Sequence, residues 1–70
     1  MKKKIKIKIN GQLNRINDKT KLSELIKNLK IPLRKVAIEL NKEIVDKKSI
    51  KKLKLKNDDV VEIVHFIGGG

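Results

Sequence analysis

Lysine and isoleucine alternate strictly from Lys4 to Ile9, so Ile5, Ile7 and Ile9 share one side of an extended chain and Lys4, Lys6 and Lys8 the other. This is the pattern of a half-buried strand. Asn10-Gly11 follows at once, and both residues accept the positive φ angles of a type I′ turn, which predicts a hairpin. A two-residue turn sets Ile16 opposite Ile5 on the buried side, but it also sets Asn14 opposite Ile7. A longer loop with a shifted register fits the sequence equally well. Leu22, Leu25, Ile26 and Leu29 then recur at helical spacing, which predicts a helix over 21–30 with one apolar stripe. Asp18, Lys19 and Thr20 precede it and offer side-chain oxygens for its free N–H groups. The helix must stop before Pro32, because Ile31 is pushed out of the helical region and proline has no N–H to give.

Beyond the proline the period returns to two. Val36 to Leu40 reads as a short strand, Asn41-Lys42 as a turn, and Ile44-Val45 as a return strand. Residues 49–53 form at most one irregular helical turn carrying Ile50 and Leu53 inward. The cluster Lys56-Asn57-Asp58-Asp59 is a turn, and Val60 to Ile67 is the strongest β segment. The order β-β-α-β-β-β predicts an α+β fold in which a mixed sheet of about five strands packs on one main helix, the β-grasp arrangement. The expected organisation is a domain over 1–67 and a glycine tail over 68–70, with no internal repeat or linker.

Seventy residues allow one small core, and 39% of them are apolar, nearly all aliphatic. The sequence holds no cysteine, which excludes disulfides, thiolate metal sites and thiol nucleophiles. The basic N-terminus leads into the alternating strand rather than into an apolar signal segment, and no run spans a membrane. A soluble protein of a reducing compartment is expected, cytoplasmic or in a plastid stroma. The formal charge of +11 invites a nucleic-acid reading. Among the 19 basic residues, however, only Arg15 and Arg34 are arginine, and Phe66 is the sole aromatic, so bidentate base readout and base stacking lack the residues they need. Lysines solvating the surface are the simpler account.

Catalytic candidates are thin. Asp58-Asp59 is an adjacent acidic pair, but side chains one residue apart on a turn diverge. His65 is the only histidine, so paired-histidine metal spacing is absent. Ser23 and Ser49 have no base nearby in sequence. The three closing glycines differ, because without Cβ atoms they make a thin stalk that can carry a main-chain carboxylate into a narrow channel. A frayed end explains three glycines equally well.

Two segments add a resemblance. Residues 36–45, V-A-I-E-L-N-K-E-I-V, resemble the pattern V-A-V-E-L-N-x-E-I-V, and residues 59–70, D-V-V-E-I-V-H-F-I-G-G-G, resemble the ending D-x-V-E-I-V-x-x-V-G-G-G. Both patterns are those of the ThiS family, the ubiquitin-like sulfur carriers of thiamine biosynthesis. The likeness is close in the C-terminal half and rests on length and element order in the N-terminal half. One departure is Asp58, after Asn57, where the family often has glycine; both residue types tolerate the left-handed conformation.

The resemblance implies a carrier and not an enzyme. An adenylating enzyme similar to ThiF, using ATP and Mg, would activate the carboxylate of Gly70. A sulfurtransferase would then supply persulfide sulfur to give a thiocarboxylate, and a thiazole synthase similar to ThiG would consume it. Ile67, Gly68 and Gly69 would enter the partner's channel. Strand parity predicts Val61 and Ile63 facing the helix and Glu62, Val64 and Phe66 facing outward as a docking patch; Phe66 folded back over a core edge is the alternative. The resemblance implies no catalytic residue, metal or bound cofactor in this chain, no nucleic-acid or membrane partner, and a monomer when free. The rivals are another β-grasp carrier, such as the small subunit of molybdopterin synthase or a protein modifier, and a basic RNA-binding module using Lys2 to Lys8. A tail disordered when alone is also expected.

Overall fold

The computed structural model describes residues 3–66. The expected tail and the 67/68 domain boundary lie outside them. Strand β1 (Lys4–Ile9) turns back through Asn10 and Gly11 into β2 (Gln12–Asn17). Both turn residues have positive φ, 49° and 83°, and the register pairs Ile9 with Gln12 and Ile5 with Ile16. The two-residue hairpin is therefore the one formed. Asn14 does stand opposite Ile7; it is half-buried and its Nδ2 donates to the Gln12 carbonyl at 3.1 Å.

Helix α1 (Leu22–Asn28) is shorter than its apolar stripe. Leu22, Leu25 and Ile26 are buried, whereas Leu29 is 41% exposed. The chain leaves the helix at Lys30, which takes φ 57°, with the Lys30 N–H on the Lys27 carbonyl and the Ile31 N–H on the Ile26 carbonyl. That hydrogen-bond pair is a Schellman ending with lysine in the place glycine favours. Pro32 lies just beyond a stop already made, and Ile31 packs on the core instead of Leu29. The N-terminus also differs from expectation. The Leu22 and Ser23 N–H groups donate to the carbonyls of Leu53 and Ile50 at 2.8 and 3.1 Å, and Glu24 reaches back to the Lys21 N–H at 3.0 Å. The Thr20 hydroxyl donates to the Asn17 carbonyl. Tertiary carbonyls thus satisfy donors that local side chains were expected to take.

A single 3₁₀ turn (Leu33–Lys35) leads into β3 (Val36–Leu40), and β4 (Glu43–Ile44) returns after Asn41 and Lys42, both at positive φ. The irregular turn over 49–53 buries Ile50 and half-buries Leu53. Strand β5 (Val60–His65) closes the sheet, whose order is β2-β1-β5-β3-β4. β5 runs parallel to β1 and antiparallel to β3, so it is central. Ile5 and Ile7 of β1, Val36 and Ile38 of β3, and Val61 and Ile63 of β5 form one layer of the core, and the buried side chains of α1 form the other, with Ile50 and Leu55 completing it. The chain has the β-grasp fold. None of its described helices is long and apolar enough to cross a membrane.

Candidate functional site

β5 is held along both of its edges. On the β3 side the ladder runs from Leu40 opposite Val61 to Val36 opposite His65, and the Phe66 N–H extends it by donating to the Lys35 carbonyl at 2.9 Å. On the β1 side backbone pairing covers only Lys8 with Val60 and Ile9 with Val61. Asn10 then takes over from the ended strand. Its main-chain N–H donates to the Val61 carbonyl at 2.9 Å, its Oδ1 accepts the Ile63 N–H at 2.7 Å, and its Nδ2 donates to the Ile63 carbonyl at 3.3 Å. A turn side chain thus imitates a strand residue and satisfies donors and acceptors that β1 is too short to reach.

The start of β5 is fixed by a second clasp. Asn41 donates its main-chain N–H to the Val60 carbonyl and accepts the Val60 N–H on Oδ1, while its Nδ2 donates to Asp59 at 3.0 Å. The other Asp59 oxygen accepts the Lys56 N–H at 2.8 Å. Asp58 takes φ 72°, the left-handed conformation that favours glycine, and its N–H donates to the Lys6 carbonyl. The acidic pair is therefore turn structure, and the Asn of V-A-I-E-L-N and the Asp of D-V-V-E-I-V touch each other. Position 58 keeps the turn geometry without glycine.

Along β5, Val61 and Ile63 are buried against the helix layer and Glu62 is exposed, with Val64 54% and Phe66 57% exposed. Phe66 does not belong to the core; the Lys47 ammonium stands 5.3 Å from its ring centroid, a cation–π contact at the last described residue. His65, although in inward phase, is exposed because the strand has run past the core. Ile67, Gly68, Gly69 and Gly70 lie outside the described residues. Among the described residues no cluster of three or more histidine, aspartate or glutamate side chains could hold a metal. An open cavity of about 430 Å³ lined by Lys3, Asp18 and Glu24 lies at the other end of β1, away from the end of β5.

The model of the ThiS family matches residues 7–70. The chain belongs to the ThiS family. It is 39% identical over 49 residues to the sulfur carrier protein ThiS of Bacillus subtilis, a match covering 70% of this chain and 74% of that protein. It is 39% identical over 66 residues to a thiazole synthase of Magnetococcus marinus, and there it covers 94% of its own length but spans about 20% of the relative's. The crystal structure of the thiamine biosynthesis protein ThiS from Geobacter metallireducens superposes with a TM-score of 0.83 at 28% identity, covering 94% of this chain and all of that one. The clasp residues Asn10 and Asn41 were not singled out for chemistry by sequence reasoning. A polar residue inside or beside an otherwise aliphatic motif was the available signal for Asn41.

Proposed function

We propose that this chain is a sulfur carrier of thiamine biosynthesis, with Gly70 as the residue that carries the sulfur and no catalytic group of its own. The observation that carries the reading is the family match, which runs through the three glycines to residue 70, on a domain whose last strand is clasped on both sides. A carboxylate resists nucleophilic attack because an oxide is a poor leaving group. In the proposed cycle a carboxylate oxygen of Gly70 attacks the α-phosphorus of Mg-ATP on a ThiF-like adenylating enzyme, releasing pyrophosphate and leaving an acyl adenylate. Persulfide sulfur from a sulfurtransferase then attacks the acyl carbon and expels AMP. Thiol reduction of the resulting acyl disulfide leaves the thiocarboxylate.

The receiving enzyme is a ThiG-like thiazole synthase, a reading supported by the thiazole synthases that contain a segment similar to this chain. Ile67, Gly68 and Gly69 enter the partner's channel, and Glu62, Val64 and Phe66 dock beside it. The domain over 1–67 acts as the handle and 68–70 as the reactive tail. The cycle needs ATP and runs in the cytoplasm or, alternatively, in a plastid stroma. The test is the intact mass of the chain after incubation with ATP, the adenylating enzyme and a sulfur donor. The expected change is one oxygen replaced by sulfur at the last residue, blocked by Gly69→Val. An unchanged mass, or thiamine-independent growth supported by a chain lacking its last two residues, refutes the reading.

A further inference from the structure

Asn10 is the asparagine of this chain that glycine follows; arginine, aspartate, leucine and lysine follow the others. A side-chain carboxamide is a weak acyl group within reach of the next residue's main-chain nitrogen, and a side chain on that next residue obstructs the approach. Gly11 has none. Its nitrogen can attack Cγ of Asn10, and the new N–Cγ bond closes a five-membered succinimide. The Gly11 amide proton passes through solvent to Nδ2, which leaves as ammonia. Water then opens the ring at either carbonyl. One opening gives aspartate; the other gives isoaspartate, with the main chain rerouted through Cβ.

In the folded chain this amide is already engaged. Its Oδ1 accepts the Ile63 N–H at 2.7 Å and its Nδ2 donates to the Ile63 carbonyl at 3.3 Å, so turning Cγ onto the Gly11 nitrogen breaks both bonds. The Asn10 N–H is held as well, on the Val61 carbonyl at 2.9 Å. We propose that Asn10 is a site of spontaneous deamidation, latched shut by its bonds to Ile63, and that conversion in turn releases β5 from β1. Neither product can restore the clasp. Aspartate keeps an acceptor for the Ile63 N–H but sets its second oxygen against the Ile63 carbonyl, where Nδ2 had donated. Isoaspartate adds a main-chain carbon to a two-residue turn whose register pairs Ile9 with Gln12. The seam depends on this residue, because backbone pairing between β1 and β5 covers only Lys8 with Val60 and Ile9 with Val61. A chain whose seam opens for long enough is therefore converted and stays open. The device belongs to the domain and is independent of the chemistry at Gly70.

The experiment follows the full chain by peptide mapping and mass spectrometry during incubation at one temperature and pH. A synthetic peptide of residues 7–13 is incubated beside it and reports the rate without the fold. Conversion of amide to acid at Asn10 should be at least about tenfold slower in the folded chain than in the peptide, since two hydrogen bonds must break first. In concentrated urea the chain should convert at the peptide's rate, and at Asn10 before Asn14, which arginine follows. The Asn10→Asp variant should unfold at a lower urea concentration than the unaltered chain. Should that variant not fold, proteolysis of a partly aged sample makes the same comparison, with converted chains cleaved before unconverted ones. Equal rates in the folded chain and the peptide overturn the latch, and a peptide that does not convert at Asn10 overturns the site. An Asn10→Asp chain as stable as the unaltered one, or aged chains cleaved regardless of conversion, overturns the release of β5.

Discussion

At Asn10 one side chain does two jobs that local sequence reveals only by half. The Asn-Gly pair announces a hairpin, because few other dipeptides accept two consecutive positive φ angles. Nothing nearby announces that the same amide will bond both main-chain groups of Ile63, 53 positions away. Replacing it separates the roles. Asn10→Gly keeps the backbone conformation and loses the two hydrogen bonds, at an expected cost of about 1–2 kcal/mol. Asn10→Ala adds the left-handed penalty, for about 2–3 kcal/mol in total. Urea denaturation checks the order; an Asn10→Gly variant as stable as the unaltered chain would mean that the side-chain bonds contribute nothing. Asn41 and Asp59 teach the same lesson, since motif residues suggestive of function are employed as clasps between β3 and β5.

Among the elements, strands were easier to place than helix ends. The alternation of β1 and the aliphatic run of β5 are fixed by local pattern, because a face half in the core demands period two. The helix follows its apolar spacing through Ile26, but its last stripe residue, Leu29, is left outside by the turn at Lys30. Leu55 escaped notice altogether. It alternates with lysine together with Leu53 from Lys52 to Lys56, a run too short to announce a strand, yet it is 1% exposed, its N–H donating to the Thr20 carbonyl at 2.8 Å. Leu55→Ala should therefore cost about 2–5 kcal/mol, the range for a leucine emptied from a packed core. At 0.05–0.15 kcal/mol per residue, a domain of this size has only about 4–10 kcal/mol to lose. The expected result is a thermal midpoint lower by roughly 10 °C or more; a change within a degree or two would show that the site collapses freely.

For the molecule as a whole, the central position of β5 matters most, because the strand is anchored on both sides, by β1 with Asn10 and by β3. Val64 of β5 and Phe66 just beyond it are exposed, and the proposed docking of a partner uses them. Changing both to aspartate should leave the circular dichroism spectrum and thermal midpoint essentially unaltered, since neither side chain belongs to the core. Adenylation by the partner should fall at least about tenfold, as expected for removal of apolar anchors from an interface. Full activity in that double variant would remove the patch from the binding surface.

By itself the sequence determined the class of fold, the presence of the hairpin though not its register, and the family through two segments of the C-terminal half. These depend on local periodicity and on runs of residues that can be read in place. The order of the strands, the meeting of the two family segments across β3 and β5, the carbonyls that cap α1 and the hold of Asn10 on Ile63 were settled only by tertiary structure. Each of those depends on which distant segments lie side by side, and pairing between strands far apart in the chain is a property of the assembled sheet rather than of any window along it.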